Sequence, residues 1–187
     1  MTDDRCKDLG RDRRRGSDAE ERFCKHMHNM GLIPTRLQPK AKSGAAIKII
    51  HGERIVIGDV DVENPTTGKV FNAEVKSKYP TATGEYGIEE YRVNHYLRYE
   101  ELTGIPVVYV IEKTRFSKHT KALSIDERTW LWRSFRELLQ NSFRAAEGWS
   151  WVGGERILVK ILYFKEEWFA KMPHELWKSK GFQSRLM

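Results

Sequence analysis

Cysteine is scarce in the 187-residue chain, with only Cys6 and Cys24. Two thiols cannot build a disulfide framework, a four-thiolate metal site or a four-cysteine iron–sulfur site. No apolar run approaches the roughly 18 residues of a membrane span, and residues 1–15 are too charged for a signal peptide. Internal repeats, low-complexity tracts and a P-loop are missing too, which leaves no place for an ATP-driven motor. The hydrophobic fraction is a modest 40%, but aromatics reach 11%, enough for a packed core. The expectation is a reduced, cytoplasmic protein built as one domain, or as one domain with an appendage.

Positive charge is what the chain has in excess, and its placement is informative. Lys and Arg number 33 against 26 Asp and Glu, a net charge of +7 with a sequence pI near 9.4. Residues 1–15 carry a net +2, residues 16–112 a net −2 and residues 113–187 a net +7. Basic flanks suit a polyanion such as nucleic acid, while an acidic middle suits a segment that attracts cations.

Residues 1–15 read as a flexible basic arm. A helix is expected from Ser17, an N-cap with Glu20 three residues on, through Ala19, Phe23, Met27 and Met30 to Gly31. Residues 33–46 read as a basic loop, with Arg36, Lys40 and Lys42 as DNA contacts. Strands are expected at Ile47–Ile50, Arg54–Val62 and Val70–Lys76, a helix at about Ile88–Thr103 closed by Gly104, and a buried parallel strand at Val107–Ile111. Beyond a connector at 113–124, Asp126–Glu147 has a helical period in Leu131, Phe135, Leu138 and Leu139. Arg156–Phe164 reads as a strand, followed by a short helix before Pro173. All six tryptophans lie at or after Trp130.

The chemistry concentrates in residues 58–78. Alternation along strands puts Asp59 and Asp61 on one face and Glu74 and Lys76 on another, and the hairpin between them brings those faces together. Val60, Val62, Ala73 and Val75 point the other way, into a core. Crowded carboxylates repel one another, and a hard divalent ion, Mg²⁺ or Mn²⁺, relieves that repulsion. Such an ion polarises a phosphodiester and activates a bound water, which a neighbouring lysine orients or whose developing charge it neutralises. Asp59 is the favoured acid of the first strand, with Asp61 as the alternative or as a second ligand beside it.

Asp59 followed fifteen residues later by Glu74-Val75-Lys76 resembles the motif of the PD-(D/E)xK nuclease superfamily, whose core order, α-β-β-β-α-β, is the order read above for residues 16–112. Gly58 stands where the family name has proline. Gly16-Ser17-Asp18-Ala19-Glu20 is similar to the helix start of archaeal-type Holliday junction resolvases, and the resemblance implies that Glu20 joins Asp59 and Glu74 in binding metal. It further implies a restriction-endonuclease-like α/β fold with a central mixed sheet, cleavage to 3′-hydroxyl and 5′-phosphate ends, a homodimer, and work in DNA recombination and repair.

The remaining candidates are weaker. Lys78 shares the face of Lys76 and is placed to reach a phosphate. Tyr91 and His95 are expected near the site on the helix after it. Cys24, His26 and His28 do not converge on one helix face and make no metal site. Arg133 and Arg136 are DNA-contact candidates in a Trp-rich, basic α+β extension at 113–187, which serves DNA contact or dimerisation. The expected function is metal-dependent, structure-selective endonucleolytic cleavage of DNA, with Asp59, Glu74, Glu20 and Lys76 as the catalytic set. The alternatives are a restriction-like or repair nuclease on duplex or flapped DNA, and a catalytically silent DNA-binding module.

Overall fold

The computed structural model describes residues 5–37, 46–117, 122–152 and 155–172. Helix α1 spans Arg5–Asn29 and buries Ala19, Phe23 and Met27 completely. The expected start at Ser17 is therefore corrected. Residues 5–15, read as an arm, are helical, because Arg and Lys are good helix formers whether or not they present an apolar face. Ser17 and Glu20 then lie inside the helix and do not form a capping box. Residues 33–36, expected to open a loop, form strand β1 (Ile33–Arg36). Pro34 is tolerated there because β1 is an edge strand. Lys40 and Lys42 lie outside the described residues.

Strands β2 (Ala46–Ile50) and β3 (Glu53–Ile57) form a hairpin. His51 and Gly52 turn it with φ of 49° and 83°, the pair of positive values that a type I′ turn needs. Strands β4 (Val60–Glu63) and β5 (Val70–Lys78) follow, then β6 (Glu85–Glu89) and helix α2 (Glu90–Thr103). Gly104 ends α2 in the left-handed region at φ 71°, its N–H donating to Glu100 O at 2.8 Å. Strand β7 (Val107–Ser117) runs parallel to β5, as expected, and continues past residue 112.

The C-terminal part departs most from expectation. The connector and the helix proposed for Asp126–Glu147 are replaced by strand β8 (Ala122–Ser134), a single turn α3 (Phe135–Leu138) and strand β9 (Arg144–Val152). Strand β10 (Glu155–Lys165), a 3₁₀ turn (Glu166–Trp168) and strand β11 (Ala170–Met172) complete the described chain. Residues 130–132 alternate: Trp130 and Trp132 pack on one side of the sheet and Leu131 on the other. That two-residue period, in aromatic residues that favour strands, overrides the helical spacing.

The central sheet has the order β1-β4-β5-β7-β8-β11, with β5 and β7 as its parallel pair. On one side, α1 packs Phe23 and Met27 against Val60, Val62, Ala73, Val75, Val110 and Trp130. Phe23 and Trp130 meet edge to face at 5.6 Å, a geometry that adds about 0.5–1.5 kcal/mol to the area buried. On the other side, α2 and α3 pack Tyr96, Tyr99 and Phe135 against Tyr109 and Ile111, together with the sheet β6-β10-β9. The centre of β5 is buried on both faces. Its outward alternates toward α2 are the polar Asn72 and Glu74, each 0% exposed.

Candidate active site

The site forms where β4 begins. Gly58 and Asp59 break the chain between β3 and β4, and the contact is tight. A Cβ on Gly58 would lie 2.6 Å from both Ala73 O and Asn72 Oδ1. The Gly58 N–H donates to Asn72 Oδ1 at 2.6 Å, and Asn72 Nδ2 donates to Asp61 Oδ1 at 2.8 Å. Proline has neither that N–H nor the room, which accounts for glycine at this position. The Asp59 N–H donates to Ala73 O at 2.7 Å, and its carbonyl accepts from the Leu37 N–H at 3.0 Å. Both sides of the Asp59 backbone are thereby fixed.

These bonds aim the Asp59 side chain across β5. Its Oδ2 accepts from the Val75 N–H at 3.0 Å and lies 3.4 Å from Lys76 Nζ. The same ammonium lies 2.5 Å from Glu74 Oε1. From α2, Arg92 Nη1 reaches Glu74 Oε1 at 3.2 Å, and its Nε is 3.6 Å from Glu89 Oε2. Tyr96, one turn further along α2, is fully buried and lies beside Glu74. Glu74 Oε2 and the Tyr96 hydroxyl are both buried, and the hydroxyl interacts with the Glu74 carboxylate and helps to keep it ionised.

Electrostatics divide the roles of the two acids. Burial pushes the Asp59 carboxyl up, from 3.8 to about 7, and the neighbouring Glu74 adds to the rise. Lys76 opposes that rise, while Glu20 adds repulsion from α1. Burial works against charge on Glu74 as well, but Lys76 and Arg92 outweigh it and hold Glu74 below the ordinary carboxylate range. Desolvation acts to lower Lys76, and Asp59 and Glu74 reverse this, so its amine stays protonated well above neutrality. Lys76 is thus an ammonium that donates hydrogen bonds, and not a proton acceptor.

The other candidates fall into different places. Glu20 pairs with Arg36, which also donates to Ser17 Oγ at 3.2 Å. Arg36 is thereby engaged within the protein. Asp61 accepts from Asn72 and from Lys48 Nζ at 3.2 Å, which directs it to the hairpin's support and away from the Lys76 ammonium. Lys78 Nζ donates to the Gly87 carbonyl at 2.5 Å, and burial lowers its amine to about 8. Arg133 Nε donates to Trp168 O at 2.9 Å and Arg136 pairs with Glu100 at 3.2 Å.

Sequence reasoning missed Arg92 and Tyr96 and named Tyr91 and His95 instead. Tyr91 accepts from Arg92 Nε at 3.3 Å, one step round the helix, and His95 is half-buried. Residues 92 and 96 are one turn apart and share a face. The signal available was the charge of Arg92 on a helix next to a strand with buried acids.

Asp59 and Glu74 fit a hard divalent ion. Two buried carboxylates share one cation, and burial together with their mutual repulsion raises Asp59. Among the described residues no three His, Cys, Asp or Glu side chains form a metal-holding group by themselves. A two-carboxylate set is nonetheless the donor set expected of Mg²⁺, which keeps waters and takes substrate phosphate as further ligands.

A mixed sheet flanked by α1 and α2, with an acid before β4 and an acidic-x-Lys triplet on β5, has the restriction-endonuclease-like arrangement. Among solved structures, the chain is similar to Hjc of Archaeoglobus fulgidus, a Holliday junction resolvase from an archaeal hyperthermophile, with a TM-score of 0.50 and 11% identity over 82% of this chain and 91% of that one. No family model and no curated protein matches the sequence. Among the described residues, no helix is long and apolar enough to cross a membrane.

Proposed function

We propose that the protein is a metal-dependent endodeoxyribonuclease acting on branched DNA, with the Holliday junction as its favoured substrate. The observation that carries this reading is the Lys76 ammonium on β5, 3.4 Å from Asp59 and 2.5 Å from the buried Glu74, in a basic protein. Asp59 and Glu74 would hold Mg²⁺ or Mn²⁺, with Glu20 as a further acid near them. When bound, such an ion polarises the phosphodiester and lowers the pKa of a water.

The chain's own residues do the rest. Lys76 donates to the attacking water or to the phosphoryl oxygens as their charge grows. Arg92 keeps Glu74 ionised and oriented. Val75 N–H fixes the Asp59 carboxylate, so the two acids face the phosphate from a rigid backbone. Hydrolysis leaves 3′-hydroxyl and 5′-phosphate ends. A homodimer suits this reading, because two symmetric sites would match the two cuts that a junction needs.

The test is cleavage of strand-labelled DNA with Mg²⁺, comparing a four-way junction, a flap, a plain duplex and single strands. Paired symmetric nicks in the junction, with duplex cut much more slowly, are expected. Equal rates on junction and duplex, or cutting of flaps alone, would replace the junction by the restriction-like or repair reading. Metal-independent DNA binding with no cleavage of any substrate would leave only a binding module.

A further inference from the structure

The strand that carries Glu74 and Lys76 does not stop at the site. It continues to Lys78, which is anchored on the Gly87 carbonyl of β6, and the chain then turns across the small sheet. Between this turn and the sheet β6-β10-β9 lies a pocket of about 340 Å³, whose lining includes Lys78, Tyr79, Glu89, Trp149, Ile161 and Tyr163. That volume is in the range of small-ligand sites. Glycine keeps its wall thin: a Cβ on Gly87 would lie 2.9 Å from Ile161 Cγ2 and from Tyr163 Cε1.

The side chains of this pocket have a particular chemistry. Trp149 and Tyr79 are 60% and 54% exposed. The Arg156 guanidinium lies 4.9 Å from the Trp149 ring centre, and that of Arg144 lies 3.9 Å from the Tyr163 ring centre. Cations thus cover a ring on each side of the small sheet. Glu89 accepts from the Ser150 hydroxyl at 2.6 Å and faces Arg92, the residue that also touches Glu74. One guanidinium therefore links the pocket's carboxylate to the candidate catalytic carboxylate.

Flat rings for stacking and a carboxylate that accepts from ring N–H and exocyclic amine groups suit a nucleobase. The ammonium at the edge nearest Lys76 suits the phosphate attached to it. We infer that the pocket receives a nucleobase extruded at the branch from the strand bound at Asp59, Glu74 and Lys76. The inference rests on the nuclease reading and deepens it. Extrusion of a base costs least where pairing and stacking are weakest, as at the branch point of a junction, so occupancy of the pocket selects branches over plain duplex.

The experiment measures binding of the full chain, in EDTA, to four-way junctions that each carry one abasic site, moved one nucleotide at a time across the branch. One or two positions should weaken binding by about tenfold, the usual effect of losing one stacked base. With Tyr79→Ala and Trp149→Ala combined, the intact junction should bind about tenfold more weakly and the profile should flatten. Both side chains are more than half exposed, so the variant keeps its fold. A flat wild-type profile with binding retained, or a variant profile like the wild type, overturns the pocket assignment alone. So does a variant that becomes monomeric in sedimentation with its profile unchanged, which would assign these rings to contact between copies. A wild-type chain that binds none of the junctions overturns the nuclease reading and this inference with it.

Discussion

Arg92 Nη1 lies 3.2 Å from Glu74 Oε1, the same oxygen that Lys76 Nζ approaches at 2.5 Å. Two cations on one buried oxygen hold Glu74 ionised at a depth where burial alone would neutralise it. Arg92→Ala should lower stability by about 1–3 kcal/mol, the usual cost of unpairing a buried polar group. It should also move the acid limb of the cleavage pH profile upward, because Glu74 loses a group that lowers its pKa. Arg92→Lys should recover part of both. Urea titration and a pH–rate profile measure these effects, and an unmoved profile would remove Arg92 from the site.

Asp59 gives a pH signature in the absence of metal. Its carboxyl rises from 3.8 to about 7 on folding, so the folded state binds a proton that the unfolded state has lost. Stability is then fully present below about pH 4 and declines as pH rises toward 7, by at most about 4 kcal/mol. Asp59→Asn should flatten this decline and unfold at higher denaturant than wild type at pH 8 in EDTA. Added Mg²⁺ should stabilise the wild type and not the variant. Parallel stability curves for both proteins would contradict the assignment.

Gly58→Pro, which restores the residue of the family name, should destabilise and not improve the protein. It removes the N–H that donates to Asn72 and places a Cβ 2.6 Å from Ala73 O. A lost buried hydrogen bond and an overpacked contact together cost about 2–5 kcal/mol. Gly58→Ala keeps the N–H, so it should lose less. Chemical denaturation ranks the three proteins, and a stable proline variant would refute the packing account.

Asp61 and Asp59 have different partners. Asp61 is engaged by Asn72 at 2.8 Å and Lys48 at 3.2 Å. Asp61→Asn should therefore loosen the hairpin by about 1 kcal/mol and leave measurable cleavage, whereas Asp59→Asn should leave none. The opposite ranking in a cleavage assay would move the site two residues along the hairpin.

Glu74 and Lys76 were legible because a strand alternates with a fixed period, which puts both on one face of β5. The strand expected at Arg54–Val62 is instead split at Gly58-Asp59 into β3 and β4, which join different sheets, so alternation did not place Asp59. The parallel strand at Val107–Ile111 was legible for a similar reason, as a short run apolar on both faces. Helix contributions were not. Which residues of α2 face Glu74 depends on how the helix is rotated, and neither Arg92 nor Tyr96 carries that information. Leu131, Phe135, Leu138 and Leu139 mimic a helical period only because β8 runs directly into α3, where Ser134 caps the Glu137 N–H at 3.2 Å. Trp130 and Trp132, read as part of an extension, are 5% and 6% exposed against α1. Deleting residues 113–187 would remove β8 and β11 from the central sheet. Single substitutions are therefore the means to probe that region.

The most direct measurement is cleavage of a strand-labelled four-way junction by the wild type and by Glu74→Gln, with Mg²⁺ and with EDTA, alongside binding of the same DNA in EDTA. Wild-type cleavage that requires Mg²⁺, lost in Glu74→Gln while DNA binding holds or strengthens as an anion is removed, is the predicted result. Cleavage by Glu74→Gln at the wild-type rate, or wild-type cleavage that persists in EDTA, would contradict a metal-dependent site built on Asp59, Glu74 and Lys76.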